Sequence, residues 1–322
     1  MKLKYNPFPL IFTQGDAVTK LACLEIFDLI DSPLGKECVL KLIMQQHSDG
    51  SFPSHLDPLN WGIRETVRNT HLMLKVGLPR DGVNVKSAVK FILNHQNPDG
   101  GWSENRLLTI PQQIVELSNE RSITWITADI VELMRQLAME EYKEFRAAVK
   151  WLTTMQNRHG GWYCFSGSIG ERLNTEGDPD STAQITFLLG EIYGKDTPAY
   201  INGRKLLERF LDDSIQDIER GYRIKLRDGT KEDLDVYYLT HLLLSSLVDL
   251  PRRIEEGYNV SDPRVKRMME VLIEIQREDG GWQPFWAEIS DPTYTVLGVK
   301  TLILSGTILP KDLEVDIKTF II

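Results

Sequence analysis

The chain has 322 residues, of which 42% are hydrophobic and 26% are charged, a balance typical of a soluble globular protein. Its 37 lysines and arginines against 46 aspartates and glutamates give a net charge of −9, and no basic run is interleaved with aromatic residues, so nucleic acid is excluded as an expected partner. Cys23, Cys38 and Cys164 are far apart and form no CxxC pair, which predicts neither a disulfide framework nor a cysteine-rich zinc site and fits a reducing, cytoplasmic location.

The N-terminal segment, MKLKYNPFPLIF, is not typical of a signal peptide. Its apolar part is short, Pro7 and Pro9 interrupt it, and no small-residue cleavage site follows. No stretch of the chain approaches the ~20 uninterrupted apolar residues of a membrane span. Peripheral contact with a membrane is left open.

Two kinds of predicted helix alternate along the chain. Apolar helices are predicted at DAVTKLACLEIFDLI, RETVRNTHLMLKVG, ITWITADIVELMRQLA, STAQITFLLGEIYG, LDVYYLTHLLLSSLV and TYTVLGVKTLILSG. Amphipathic helices, such as SAVKFILNHQ, AAVKWLTTMQ and VKRMMEVLIEIQ, lie between them, and the residues from about Pro310 onward supply a last one. We expect an inner layer that is apolar nearly all round and an outer amphipathic layer, with six pairs closing a ring.

A short motif follows the amphipathic helices. QNPDGGW begins at Gln96, QNRHGGW at Gln156 and QREDGGW at Gln276, and degenerate copies begin at Gln46 and Gln216. The glycines allow a tight turn, the glutamine can bind free backbone groups at a helix end, and the aromatic ring packs between helices. The motif tryptophans are therefore predicted to be scaffold residues: Trp102, Trp162 and Trp282.

This Gln-x4-Gly-Trp repeat resembles the QW repeat of squalene–hopene and oxidosqualene cyclases, and more loosely the repeats of protein prenyltransferase β subunits. The resemblance covers nearly the whole chain, from about Asp16 to Gly306. It implies an all-α fold, an α6/α6 toroid that forms a single domain over residues 1–322. It also implies a deep, apolar central cavity that accepts a linear isoprenoid.

The stretch EGDPDSTAQ extends the resemblance to a functional motif. Class II terpene cyclases carry Asp-x-Asp-Asp-Thr-Ala at the start of an inner helix, and the middle aspartate protonates an alkene or epoxide. Asp178, Asp180, Thr182 and Ala183 match that pattern, with Asp180 in the place of the acid. Ser181 replaces the last aspartate, where oxidosqualene cyclases carry a cysteine.

Protonation of an isolated C=C bond requires a carboxylic acid that is protonated at rest and shielded from water. Burial and a neighbouring carboxylate both raise the pKa of an aspartate, so we expect Asp178 to tune Asp180. Ser181 and Gln184 are expected to orient the acid. An ordinary helix cap is the alternative, because aspartate and serine are common at helix starts.

A carbocation needs stabilisation without a nucleophile, and each desolvated aromatic face supplies up to ~2 kcal/mol. Five aromatic residues near the N-terminal ends of the inner helices are candidates, with core packing as the alternative: Trp125, Phe187, Tyr237, Tyr238 and Tyr294.

Charged residues occupy equivalent helix starts. Arg64 and Arg68, one turn apart, could hold a diphosphate, with Mg²⁺ to neutralise it if the substrate carries one. No other cofactor is predicted. Four acids are expected to cap helices or to face solvent, and Asp235 alone among them is kept as a substrate-binding candidate: Glu65, Asp129, Asp235 and Asp291.

Three alternatives to a class II terpene cyclase are considered. A zinc prenyltransferase is disfavoured because Tyr237 and Tyr294 stand where that family has cysteine and histidine ligands, so no metal site is predicted. A toroidal glycoside hydrolase or polysaccharide lyase would need a more polar inner layer. A non-catalytic toroid that binds an isoprenoid or another lipid is left open.

One toroid alone does not enclose a cavity, so something else must close it. We expect either long loops or a second copy of the chain, as a homodimer, to cover the rim. The loops are 107–121, 163–177 and 222–233.

Overall fold

The computed structural model describes residues 1–112, 114, 116–220, 223–225, 231–233, 259–283 and 289–321. These residues are mostly helical and divide into two compact units. The central unit comprises Glu37–Leu206, and the terminal unit comprises Met1–Lys36 with Leu207–Ile322. The single domain predicted over 1–322 stays a prediction.

The helices in chain order are α1 (Phe8–Gln14), α2 (Ala17–Ile26), α3 (Pro33–Met44), α4 (Ile63–Lys75), α5 (Val83–Asn94), α6 (Thr124–Gln136), α7 (Lys143–Thr154), α8 (Ile169–Arg172), α9 (Pro179–Tyr193), α10 (Pro198–Arg220), α11 (Pro263–Glu274), α12 (Pro292–Leu304) and α13 (Glu314–Lys318), with a 3₁₀ turn at Pro310–Asp312. Two short antiparallel pairs accompany them: β1 (Phe52–Pro53) with β2 (Trp61–Gly62), and β3 (Arg223–Lys225) with β4 (Lys231–Asp233). The predicted helix LDVYYLTHLLLSSLV lies outside the described residues.

The central unit has the predicted two layers. Its inner helices are α4, α6 and α9, of which α4 contacts α6 and α6 contacts α9. The outer helices α5 and α7 pack against α4 and α6 respectively. Buried apolar side chains fill the space between the layers, among them Val67, Phe91, Ile130, Leu152 and Ile185.

The motif glutamines join successive outer helices. The Nε2 of Gln96 donates to the carbonyl of Gly100 in its own turn and to the carbonyl of Glu144 in the next outer helix, at 2.8 and 2.9 Å. Gln46 and Gln156 make the same pair of bonds. Gly100 has φ +101, and a Cβ there would lie 2.8 Å from a backbone oxygen of the next outer helix, so only glycine fits. The predicted backbone-binding role of the glutamines is confirmed at these positions.

The motif tryptophans are scaffold residues, as predicted. Trp102, Trp162 and Trp282 are fully buried, and each Nε1 donates to a carbonyl of the preceding outer helix at 2.7 Å.

In the terminal unit, the N-terminal segment supplies the backbone groups that bind the motif glutamine, as the next outer helix does in the central unit. Gln276 donates to the carbonyl of Gly280 and to the carbonyl of Tyr5, and its Oε1 accepts the backbone N–H groups of Lys4 and Tyr5. Helix α1 then packs on α2 and α12. The hydrophobic pattern did not predict α1, because seven residues with two prolines nearby are too few for a periodic signal.

Three expectations of the sequence differ from the structure. Gln216 is exposed inside α10 instead of following it, because SIQDIER contains no glycine or proline to end the helix. The helix expected after Pro310 is only a 3₁₀ turn and the five-residue α13. Helix α4 is not apolar all round, since Arg68 and Lys75 are exposed along it.

Candidate active site

One threonine on each inner helix defines which face points toward the outer layer. The hydroxyl groups of Thr66, Thr127 and Thr182 accept the backbone N–H of Phe52, Trp102 and Trp162 at 3.0 to 3.1 Å. Successive helix positions differ by 100°, so residues two before or two after each threonine point to the opposite side. We call these the inward residues.

The inward residues form levels across the three helices. The first level, two residues before each threonine, consists of Arg64, Trp125 and Asp180. The second level, two residues after it, consists of Arg68, Asp129 and Gln184. The third level, one further turn along, consists of His71, Glu132 and Phe187. Six residues predicted for the site therefore share one surface of the central unit: Arg64, Arg68, Trp125, Asp180, Gln184 and Phe187.

Two carboxylates at the start of α9 have different hydrogen-bond partners. Asp178 is the N-cap residue, but its side chain makes no cap hydrogen bond. Its Oδ2 instead accepts the backbone N–H of Cys164 at 2.5 Å. Asp180 is half-buried in the first turn, and its Oδ1 accepts the N–H of Ser181 at 2.8 Å.

Asp178 has the perturbed acidity. Burial, reinforced by the negative charge of Asp180, raises its pKa from 3.8 to about 6, although hydrogen bonds from the Cys164 thiol and N–H oppose the shift. A carboxyl group with this pKa retains its proton in about a tenth of the molecules at pH 7. The pair can therefore hold a proton close to neutral pH.

Two residues predicted to orient Asp180 make other contacts. The hydroxyl of Ser181 is fully buried and has no hydrogen-bond partner among the described residues, so only its backbone N–H reaches Asp180. The amide of Gln184 donates to Asp129 on the neighbouring helix. Asp129, expected at a cap or in solvent, instead lies in the second inward level.

The loop between Trp102 and α6 covers the first level. Leu108 and Leu117 from this loop are buried, and Leu117 joins the core between the layers. The indole Nε1 of Trp125 donates to the backbone carbonyl of Glu116 at 3.1 Å. Burial raises the pKa of the Glu116 carboxyl, with the charge of Arg64 opposing the rise and that of Asp180 adding to it. Glu116 thus lies near Asp180 and Arg64, and sequence periodicity gave no sign of it.

A second group of ionic residues surrounds the start of α4. Glu65 is 3% exposed, and its Oε1 lies 2.6 Å from Nδ1 of His55 and 3.0 Å from a guanidinium nitrogen of Arg64. Burial alone would raise the pKa of Glu65, but the His55 hydrogen bond and the charge of Arg64 outweigh it and lower the pKa to about 2. Glu65 is therefore a buried anion, and not the cap or solvated residue that the sequence predicted.

Glu104 completes this group from the following repeat. Its two carboxylate oxygens accept the backbone N–H groups of Ile63 and Arg64, at 3.0 and 3.2 Å, and so cap α4 from outside the helix. No short-range sequence pattern connects Glu104 with a helix that begins 41 residues earlier.

His71 joins α4 to α6 at the third level. Its Nε2 donates to the backbone carbonyl of Asp129 at 3.0 Å. Burial lowers the pKa of this imidazole, so the ring is neutral at pH 7.

Four further predicted site residues do not belong to the described part of the central unit. Asp235, Tyr237 and Tyr238 lie outside the described residues. Tyr294 belongs to the terminal unit, where it is half-buried in the first turn of α12. Asp291 caps that helix through the N–H of Tyr294 at 2.8 Å, as predicted.

Within the described ranges, no group of three or more histidine, cysteine, aspartate and glutamate side chains has an arrangement suited to a metal ion. No helix in the same ranges combines the length and the apolar character needed to cross a bilayer.

The family model of the prenyltransferase alpha-alpha toroid domain matches residues 9–108 and 102–321. The chain belongs to this family. The predicted all-α toroid is thereby confirmed, as is membership of the prenyltransferase repeat superfamily. No curated protein gives a significant match.

Solved structures share this toroid fold at low sequence identity. A type II terpene cyclase, MstE from Scytonema, in complex with geranylgeranyl dihydroxybenzoate is 14% identical, with a TM-score of 0.56 over 90% of this chain and 87% of that one. A protein from Actinoplanes is 15% identical, with a TM-score of 0.55 over 90% of both chains. A family 76 glycoside hydrolase from a bovine Bacteroides thetaiotaomicron strain is 12% identical, with a TM-score of 0.54 over 92% of this chain and 69% of that one.

Proposed function

We propose that this toroid protein is a class II terpene cyclase, which protonates and cyclises a linear isoprenoid. The observation that carries the proposal is the environment of the Asp178 carboxyl group. Asp178 occupies the N-cap position but makes no cap hydrogen bond. Its half-buried carboxylate instead accepts the N–H of Cys164, and desolvation raises its pKa to about 6. An acid that retains a proton near neutral pH is what alkene protonation requires.

The two aspartates have different roles in proton transfer. Asp178 faces the 162–165 segment and holds the proton at rest, whereas Asp180 is an inward residue. The proton passes from Asp178 to Asp180, which delivers it to the terminal C=C bond. The cyclised cation then loses a proton to form the product alkene, and the carboxyl pair takes up a proton from solvent. The roles predicted from the sequence are kept, with Asp180 as general acid and Asp178 as the group that tunes and supplies it.

The cation meets aromatic surface close to Asp180. Trp125 lies in the first inward level and Phe187 in the third, about two helical turns deeper on the helix that carries the acid. Each face stabilises a nearby cation by up to ~2 kcal/mol when water is excluded. Leu108 and Leu117 of the covering loop are buried and so help to exclude that water.

The polar inward residues favour a substrate with a polar group in addition to its hydrocarbon chain. Arg64 is already paired with Glu65 and lies near Glu116, so a diphosphate there would have to displace an ion pair and face extra negative charge. A neutral or singly charged head group fits better, and the Scytonema relative was captured with an isoprenoid of that general kind, geranylgeranyl dihydroxybenzoate. Mg²⁺ would be needed only for a diphosphate substrate.

The direct experiment offers the protein a panel of isoprenoids and analyses the products by mass spectrometry. The panel contains geranyl, farnesyl and geranylgeranyl diphosphates with Mg²⁺, squalene, and geranylgeranyl dihydroxybenzoate. We expect one of them to be converted to a cyclic isomer by the wild type and not by Asp180→Asn. Binding without conversion in both proteins would instead favour the non-catalytic lipid-binding alternative.

Glycoside hydrolysis is the second candidate, because the second and third inward levels carry more charged and amide groups than a purely apolar cavity would. The fold is shared with a glycoside hydrolase as well as with a terpene cyclase, so fold does not choose between them. Release of reducing sugar from a panel of polysaccharides, with no isoprenoid conversion, would select this candidate.

Cytoplasmic location, peripheral membrane contact and homodimerisation remain proposals. Vesicle flotation and sedimentation equilibrium of the purified protein test the last two.

A further inference from the structure

Cys164 contacts the acid pair in a way that neither the cyclase motif nor the repeat accounts for. It is buried in the 162–165 segment, two residues before Ser166, the exposed residue of the following turn. Its backbone N–H donates to Oδ2 of Asp178 at 2.5 Å, which places its buried side chain beside the same carboxylate.

The segment that carries Cys164 is fixed from both sides. The backbone N–H and the hydroxyl of Thr124, the first residue of α6, donate to the Cys164 carbonyl at 2.7 and 2.9 Å. On the other side, the N–H of Asp178 donates to the carbonyl of Trp162 at 2.8 Å. The thiol is therefore held against α9 by backbone contacts that do not depend on its sulfur atom.

We propose that Cys164 is a positioning residue for the acid pair: its thiol and its N–H both donate to the Asp178 carboxylate, which stabilises the anion that remains when the proton leaves. Because the N–H occupies Oδ2, the acidic proton resides on Oδ1, where Gly170 leaves room; a Cβ on that glycine would lie 3.3 Å from Oδ1. No covalent step is involved. The proton passes from Asp178 to Asp180 and the thiol keeps its own.

The Cys164 thiol remains a hydrogen-bond donor throughout the reaction. Burial and the charges of Asp178 and Asp180 raise the pKa of Cys164 well above its usual value, so it is not ionised at neutral pH. The other titratable groups that act on this cluster are unchanged in the test below. They are Tyr163, Glu171 and Glu176 in the 163–177 loop, Arg158 after α7, Asp180 on α9, Glu116 in the loop before α6, Arg64 on α4 and His55 between β1 and β2.

The role of Cys164 is tested by two measurements, and only the second, which is kinetic, rests on the proposed function. The first measurement is the titration of Asp178 itself, read from the infrared carbonyl band of the protonated carboxyl group that disappears in Asp178→Asn. In Cys164→Ala one donor to the anion is lost, so we expect the midpoint to rise by about one pH unit above that of the wild type. In Cys164→Ser a hydroxyl donor replaces the thiol, and the midpoint should stay at or below the wild-type value.

The kinetic arm uses the isoprenoid that the wild type converts. The basic limb of the kcat–pH profile should move upward with the infrared midpoint in Cys164→Ala, while kcat at its plateau falls about tenfold because the acid is weaker. Cys164→Ser should restore both. Cys23→Ala, which removes another buried thiol from α2, is the control for loss of packing and should leave the midpoint and the profile unchanged.

An unchanged or lowered midpoint in Cys164→Ala would overturn the proposal, and so would a midpoint that Cys164→Ser fails to restore. Failure of the proposed function has a different signature: the wild type converts no isoprenoid, while the infrared titration still reports on Cys164.

Discussion

The starts of α9 and α12 are built on one plan and differ in how the first aspartate is used. Asp178-Pro-Asp-Ser-Thr begins α9, and Asp291-Pro-Thr-Tyr-Thr begins α12. In both, the N–H of the aspartate donates to the carbonyl of the motif tryptophan, and the threonine hydroxyl accepts the N–H of that tryptophan. The backbone scaffold is therefore the same.

The side chains diverge on this shared scaffold. Asp291 caps its helix through the N–H of Tyr294, as an N-cap aspartate ordinarily does. Asp178 leaves that cap unmade and contacts Cys164, next to a second carboxylate at the position that Thr293 has in α12. The missing cap and the partial desolvation of the carboxylate both cost stability, and such local costs are typical of functional sites.

The largest expected effect is on turnover. Asp180→Asn should lower kcat about a thousandfold, equivalent to about 4 kcal/mol of transition-state stabilisation, because the amide cannot donate an acidic proton. Thr293→Val, the matched change at the start of α12, should keep kcat within about twofold of the wild type. Steady-state assays on the isoprenoid that the wild type converts measure both. Equal losses in the two variants would remove the distinction between the two helix starts.

The next effect is on stability as a function of pH. Because the folded-state pKa of Asp178 lies above its unfolded value of 3.8, its contribution to stability is complete below about pH 4 and is lost as the pH rises through about 6. The amide side chain introduced by Asp178→Asn does not titrate, so the free energy of unfolding of this variant should rise relative to that of the wild type by about 2 kcal/mol between pH 4 and pH 8.

Urea unfolding at a series of pH values measures this difference. Asp291→Asn is the control for replacing an N-cap carboxylate by an amide. A constant difference between Asp178→Asn and the wild type would mean that Asp178 is ionised like an ordinary surface aspartate.

The scaffold itself should respond equally in the two regions. Thr182→Val and Thr295→Val each leave the buried N–H of a motif tryptophan without a partner, at a cost of about 2 kcal/mol. Thr153→Val, on the exposed side of α7, should cost much less. Thermal unfolding of the three variants tests this. A large cost at only one of Thr182 and Thr295 would show that the two starts do not share a scaffold.

The smallest effect concerns the cap. Asp291→Ala should lower the free energy of unfolding by about 1 kcal/mol, the usual value of an N-cap bond, and should leave turnover unchanged. The same denaturation experiments measure it. If the substitution has no effect on stability, the hydrogen bond from Tyr294 is not a stabilising cap.

The fold was predictable because its signals are local and repeated. Gln96, Gln156 and Gln276 recur with the same turn and the same aromatic residue, and each makes the same two backbone bonds. Where the repeat loses its glycine-rich turn, as at Gln216, the prediction of a helix end failed, since nothing in the local sequence stops α10.

The candidate site was predictable only in part. The inner-helix starts placed Arg64, Trp125 and Asp180 on one level, because helical spacing determines which positions share a face. Glu104 and Cys164 act across loops on residues 41 and 14 positions away, and such contacts have no periodicity to reveal them. Glu116 likewise comes from a loop, whose path over α4 and α6 depends on where Leu117 packs.

The central claim is that this protein adds a proton to an alkene from a carboxyl pair at the start of α9, and turnover in D₂O tests it most directly. The carboxyl groups exchange with solvent, so each molecule of cyclised product formed in D₂O should carry one deuterium at the carbon of the former terminal alkene, with no product from Asp180→Asn. Cyclic product without deuterium, or equal deuterium incorporation by Asp180→Asn, would contradict the account.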